Sequence, residues 1–254
     1  MARFEPWTAG PAAHLVEALE RDLLLGLLEP RPGERLLEVG CGRGRRLAIF
    51  RNRGLDVMGL ESAPALVEAA RRKLGPDLVQ AGDLDDLPWD DNAFDLVLLG
   101  NCLAYVKNPE SALGEAGRVA RRRVVVEMVN PYSWLGLKIR FYDDDPPPRW
   151  LGPWRLKNLA EQVFGPSPVR TLSLLTFPQS WLPWLKHVET SPFVQRQPWG
   201  GLYFLAIDLR YTLRADPLTA RAKPAPLGPA AGPLRYQPPP PRMKRSDCER
   251  SLFV

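Results

Sequence analysis

The chain has 254 residues, 45% hydrophobic and 25% charged, with a formal net charge of +5. That length gives room for one large α/β domain with a sizeable core, and the balance excludes a fibrous or wholly disordered protein. The charge is local: residues 214–254 hold eight basic and three acidic side chains, so the remainder is neutral overall and gives no strong nucleic-acid signal.

Other classes fall away as quickly. Cys41, Cys102 and Cys248 are scattered and odd in number, which points to the reducing cytoplasm and not to a disulfide frame. Two histidines, His14 and His187, without a Cys/His cluster give no expectation of a metal site. Leu23–Leu28 is the longest aliphatic run and is too short to span a bilayer. The first ten residues do not read as a signal peptide. An excess of arginine over lysine, with abundant alanine, proline and leucine, fits a GC-rich bacterial source.

Phe4 and Trp7 lead into a helix expected from Pro11 to Glu29, with Leu15, Leu19, Leu23 and Leu27 on one stripe. It either covers a ligand cleft or packs on a sheet. Arg35–Val39 reads as a buried parallel strand. Gly40, Gly42 and Gly44 follow at alternate positions, and a helix resumes at Leu47. Strand, glycine turn and helix N-terminus form a place where backbone amides meet a nucleotide-like ligand. The spacing is not that of a dinucleotide site, because the third glycine position falls on Arg45. Glu38 in the strand end suits a ligand with an ammonium and a sulfonium. Cys41 serves as a small residue in the turn. A glycine turn that binds nothing is the other reading of this stretch.

Asp56–Leu60 is the second strand, and Glu61 stands at its end about twenty residues past the glycine loop, where a carboxylate can accept from both ribose hydroxyls. Ser62 and Pro64 start the next helix, which runs to Leu74. Pro76–Ala81 is a third strand, followed by Asp83 and Leu84, which suit an adenine amine and ring; an Asx-turn before Asp85–Leu87 explains Asp83 as well. Pro88–Asp95 reads P-W-D-D-N-A-F-D and opens the fourth strand, Phe94–Leu99. Asn101 and Tyr105 follow that strand, where ligands sit in doubly wound sheets; Tyr105 is equally a capping aromatic.

Pro109–Ala120 reads as a helix and Val124–Val129 as the fifth strand. Arg118–Arg123 reads as a solvated helix end. Residues 130–200 contain Trp134, Trp150, Trp154, Trp181, Trp184 and His187, and this insert is where substrate selection is expected. Arg170–Phe177 and Leu202–Leu209 read as an antiparallel pair. Residues 214–254, with Pro238–Pro241 in succession, form a proline-rich basic tail expected to be disordered, either inert or a site for a partner.

Glu38 to Gly44, Glu61, Asp83-Leu84 and Pro88–Asp95 occur in an order and spacing that resembles the class I S-adenosylmethionine (SAM)-dependent methyltransferases, in the type 11 group related to the ubiquinone/menaquinone C-methyltransferases. The resemblance covers residues 4–210. It implies a Rossmann-like, doubly wound seven-stranded sheet of order 3-2-1-4-5-7-6, strand 7 antiparallel, with helices on both faces. It places Gly40, Gly42 and Gly44 around the methionine part of SAM, Glu61 on the ribose, Asp83-Leu84 at the adenine, and Trp7 over the pocket. Glu61 stands for the usual aspartate. Ala104 and Tyr105 stand for a histidine pair, and Arg121–Arg123 for a Pro-Gly-Gly turn. The implied activity is in-line methyl transfer to a small, aromatic or lipid-like acceptor, with Tyr105 and His187 as candidate bases. A non-catalytic SAM-binding interaction protein, a nucleic-acid methyltransferase using the tail, and an NAD enzyme are the rival readings.

Overall fold

The structure, a computed structural model, describes residues 12–142, 149 and 151–209. All of them fall in the first of two units, which ends at Tyr211. Phe4, Trp7, Trp150 and the tail 214–254 lie outside the described residues.

Seven strands form one sheet: β1 (Arg35–Val39), β2 (Asp56–Glu61), β3 (Val79–Ala81), β4 (Phe94–Gly100), β5 (Ala120–Val129), β6 (Val169–Leu174) and β7 (Leu202–Asp208). Their order is β3-β2-β1-β4-β5-β7-β6. β1 to β5 pair in parallel, and β7 runs antiparallel to both β5 and β6. This is the topology that the family resemblance implies.

The eight helices of the described region are α1 (Ala13–Leu28), α2 (Arg45–Arg51), α3 (Pro64–Leu74), α4 (Pro109–Val119), α5 (Trp134–Tyr142), α6 (Pro153–Phe164), α7 (Leu182–Glu189) and α8 (Pro192–Gln195). Proline at the first turn of α3, α4 and α6 costs no helix hydrogen bond, since those amides have no partner in the helix. Asn108 caps α4 by accepting from the amides of Glu110 and Ser111.

The two-residue period of the strands divides the core. Leu36, Leu96, Leu98 and Val125 face one layer, with Val16 and Leu24 of α1, Leu47 of α2, and Leu135 and Ile139 of α5. Leu37, Val39, Val97, Val124 and Val126 face the other, with Leu113 of α4 and Leu156 of α6. α1 packs on the sheet over β5 and β6, so of its two sequence readings the packed helix is the one observed.

Two expectations are corrected. Arg118–Arg123 is not a solvated helix end. Arg118 donates to the carbonyls of Leu87 and Trp89 and pairs with Glu115 and Asp91, bracketing the loop before β4. β5 begins at Ala120, so Arg121, Arg122 and Arg123 are strand residues that bind Asp95, Glu34 and Asp208 respectively. Arg123 is buried and also donates to the Leu27 carbonyl, tying α1 to the sheet. The P-W-D-D-N-A-F-D stretch opens β4 as expected: Trp89 meets Phe94 edge-on at 5.2 Å, and the Arg35 guanidinium lies 5.0 Å over the Phe94 ring.

Gly59 of β2 is the position where the sheet touches the glycine loop. A Cβ there would lie 2.6 Å from Leu47 Cδ1 and 2.7 Å from Cys41 Sγ. Gly59→Ala is therefore expected to lower stability by about 1–3 kcal/mol through overpacking, read as a shift in the urea midpoint at constant slope.

Candidate functional site

The loop between β1 and α2 is built by its own backbone. Gly40 and Cys41 donate their amides to the Leu60 carbonyl of β2 at 2.8 and 3.1 Å, which fastens the turn to the neighbouring strand. Gly42 and Gly44 have φ of +58° and +70°, where a Cβ is strained. The two glycines face different surroundings. A Cβ on Gly42 would meet nothing within 4 Å, whereas one on Gly44 would lie 2.5 Å from Leu74 Cδ1. Gly42 thus presents open backbone, and Gly44 permits α3 to pack against α2.

Glu61 closes this loop. Its Oε2 accepts from the Gly42 amide at 3.0 Å, and its Oε1 accepts from Ser62 and Ala63 at 2.9 and 3.0 Å. A carboxylate offers about four acceptor positions, so three are occupied and one remains on Oε2. Sequence spacing assigns Glu61 to a ligand; the structure gives it a second duty, holding the glycine turn in shape. The next strand end is adjacent, since Glu61 pairs with Ala81 and its carbonyl accepts from Gly82. Asp83 is exposed there and accepts from the Leu84 amide at 3.0 Å. The Leu84 side chain is buried in the core layer of α4.

Beneath the loop lies a charge cluster that the sequence reading only half saw. Glu38, Gly100 and Glu127 stand on one face of three adjacent strands, β1, β4 and β5, with Gly100 level with Glu127. Both glutamates are fully buried. Arg46, the second residue of α2, enters from above: its Nε donates to Glu38 Oε1 at 2.7 Å, and its Nη1 donates to Glu127 Oε2 and to Glu20 Oε1 of α1. Arg45 Nη2 donates to both oxygens of Glu20 at 3.0 Å. Among the described residues, three buried carboxylates share two guanidiniums. Gly100 makes the room, because a Cβ there would overlap the Arg46 guanidinium. Glu20, Arg46 and Glu127 were absent from the sequence-derived site. The available signal was a charge at an apolar position in each of two elements: Glu20 within the Val16/Leu23/Leu24 stripe, and Glu127 within Val124–Val129.

The other candidates are placed as follows. Asn101 follows β4 at the carboxyl edge, and its Oδ1 accepts from the Val129 amide at 3.2 Å. Tyr105 is half-buried against the α4-side core. His187 is an exposed residue of α7, beyond β6 at the far edge of the sheet, and is not among the residues gathered around Glu61. Four strand spacings, about 19 Å in all, separate β1 from β6. Cys41 is buried beside the turn; desolvation first, and the nearby carboxylates of Glu38 and Glu61 second, push its thiol pKa well above the usual range. Among the described residues no group of His, Cys, Asp and Glu is arranged to hold a metal.

Residues 37–126 match the family described as Methyltransferase domain. Curated relatives include a malonyl-[acyl-carrier protein] O-methyltransferase from Serratia marcescens, 35% identical over 107 residues that make up 41% of this chain and 42% of that protein. A demethylmenaquinone methyltransferase from Renibacterium salmoninarum is 34% identical over 115 residues, 44% of this chain and 48% of that one. The matched segment thus spans less than half of each relative. Among solved structures, a SAM-dependent methyltransferase from Thermotoga maritima superposes with a TM-score of 0.62 at 21% identity, covering 81% of this chain and 94% of that one. Geranyl diphosphate C-methyltransferase from Streptomyces coelicolor, crystallised with Mg2+, geranyl diphosphate and S-adenosyl-L-homocysteine, gives 0.55 at 19% identity, covering 77% and 81%.

Two outcomes follow from the geometry. Arg46→Met leaves the buried carboxylates of Glu38 and Glu127 without this guanidinium and is expected to cost about 3–5 kcal/mol, with Arg46→Lys recovering part, as measured by urea unfolding. The Cys41 thiol, held protonated, is expected to resist iodoacetamide at pH 8 in the folded protein and to react after denaturation, read by peptide mass mapping.

Proposed function

Residues 37–126 form a methyltransferase domain of class I, type 11, a family whose cofactor is SAM, and from that premise we propose that this protein transfers the methyl group of SAM to a small, apolar acceptor. The observation that carries the reading is the carboxylate of Glu61 at the end of β2, joined to the open Gly42 backbone on one side and to the Asp83 strand end on the other. The methionine, ribose and adenine groups of SAM follow one another in that order, as do the open glycine turn, the Glu61 carboxylate and Asp83. The residues present fit the cofactor: Gly42 borders open space, with nothing within 4 Å of where a Cβ would stand, and Glu61 Oε2 accepts one hydrogen bond and has capacity for a second.

In this reading Glu61 accepts from one ribose hydroxyl through Oε2, Asp83 accepts from the adenine amine, and Gly40 and Gly42 receive the methionine part. Glu38 acts through Arg46, which it orients, and not by direct contact alone. Asn101 and Tyr105 line the acceptor side beyond β4. Bound SAM supplies an activated methyl on a sulfonium, so the chain has to contribute alignment and exclusion of water more than acid–base chemistry. His187 has no part in it. The exposed rings of Tyr132, Trp154 and Trp199 support an apolar acceptor. The acceptor named for one similar protein, a demethylmenaquinone, points the same way.

The test is transfer of radiolabelled methyl from SAM into quinone, isoprenoid, nucleic-acid and peptide fractions. Label is expected in the organic phase. Asp83→Ala is expected to raise KM for SAM about tenfold with kcat nearly unchanged, the mark of a uniform binding contact. Binding of SAM without transfer into any fraction would sink the enzymatic reading, and label in nucleic acid or peptide would sink the acceptor class.

A further inference from the structure

α5 has apolar side chains on both of its faces. Leu135 and Ile139 are buried in the core layer beneath it. Trp134, Leu137 and Phe141, three and four residues apart in turn, form a second stripe that points away from the core and is 63%, 42% and 73% exposed. A helix apolar all round needs a second apolar surface to cover it. Beside its start, Tyr132, Trp154 and Trp199 form a chain of rings with centroid separations of 6.1 Å at each step, and these too are exposed.

The place and the charge of this patch select what covers it. Tyr132 follows β5 and Trp199 precedes β7, whose ends pair as Val129 with Leu202. The patch therefore sits at the carboxyl edge of the sheet, the edge that carries Glu61 and Asp83. The segments that carry it, residues 130–142, 149–158 and 195–203, contain six lysines and arginines, against the three aspartates Asp143 to Asp145 that lie in sequence between the first two. Lys138 and Arg140 flank the apolar stripe of α5 and are exposed. Tryptophan and tyrosine rings with long cationic side chains beside an apolar helical stripe are the composition of a surface that lies in a lipid headgroup layer: the rings enter the acyl boundary and the cations stay with the phosphates.

We propose that α5 and the Tyr132–Trp154–Trp199 rings dock this protein on an anionic lipid bilayer, with the carboxyl edge of the sheet turned toward the membrane. Docking needs no methyl transfer. It rests on the reading above only in giving an apolar acceptor a route from the bilayer to the site.

Co-sedimentation of the full chain with vesicles of phosphatidylcholine containing about 30% phosphatidylglycerol tests this, against vesicles of phosphatidylcholine alone. The wild type is expected to partition onto the mixed vesicles and more weakly onto the neutral ones. Trp134→Ser/Phe141→Ser is expected to weaken partition about tenfold or more, with the affinity for SAM unchanged. Residues 214–254 stay in both proteins, so a pull by the basic tail would bind the two equally. Equal binding of wild type and variant overturns the proposal, as does absence of wild-type binding, including the case where the patch instead joins two copies in sedimentation velocity. Failure of SAM to bind the wild type would count against the proposed activity and leave the vesicle result standing.

Discussion

The guanidinium of Arg46 is the interaction on which the site depends. It joins Glu38 of β1, Glu127 of β5 and Glu20 of α1 from the first turn of α2. Four elements are thereby fixed at the carboxyl edge of the sheet by one side chain. Charges this deep are costly to desolvate, and an apolar replacement of the whole cluster could be as stable. What the cluster supplies is register. α2 cannot slide or turn without removing the cation from its carboxylates, so the glycine loop that precedes α2 is held in one position. Gly100 belongs to the same device, because its missing side chain is the space that the guanidinium fills.

The cofactor chemistry sits one layer above. Glu61 shapes the loop through Gly42, and in the proposed role of ribose acceptor it would couple loop shape to cofactor binding. Under the proposed function this carboxylate would be missed twice if removed, once as the ribose acceptor and once as the partner of three amides. Asp83 differs, being exposed and accepting only from the amide of its neighbour Leu84, which makes it the cleaner probe of the proposed cofactor site. The exposed rings after β5 and before β7 lie at the edge where β1, β2 and β4 end, so the same end of the sheet carries the proposed cofactor site and an apolar surface.

Much of this was legible in the sequence because it follows from local pattern. The alternation of apolar residues and the punctuation by glycine and proline give the seven strands, and the separation of Glu61 from the glycine loop gives its place at the next strand end. The cluster around Arg46 was not legible, since its pairings join residues 8, 26 and 81 positions apart and come together only after the sheet has formed. Arg118–Arg123 misled for the same reason: a run of cations has no period of its own, and strand pairing sends Arg122 and Arg123 to Glu34 and Asp208. His187 drew attention as a titratable residue among tryptophans, but α7 follows β6 at the far edge and carries it to the surface. Trp7, expected over the pocket, lies outside the described residues.

The central claim is that the β1–α2 loop, closed by Glu61, is a SAM site. Calorimetric titration of the purified protein with SAM, S-adenosylhomocysteine and NAD tests it most directly. The account predicts one site of micromolar affinity for each of the first two and no heat with NAD. No binding of SAM, or binding of NAD in its place, would contradict it.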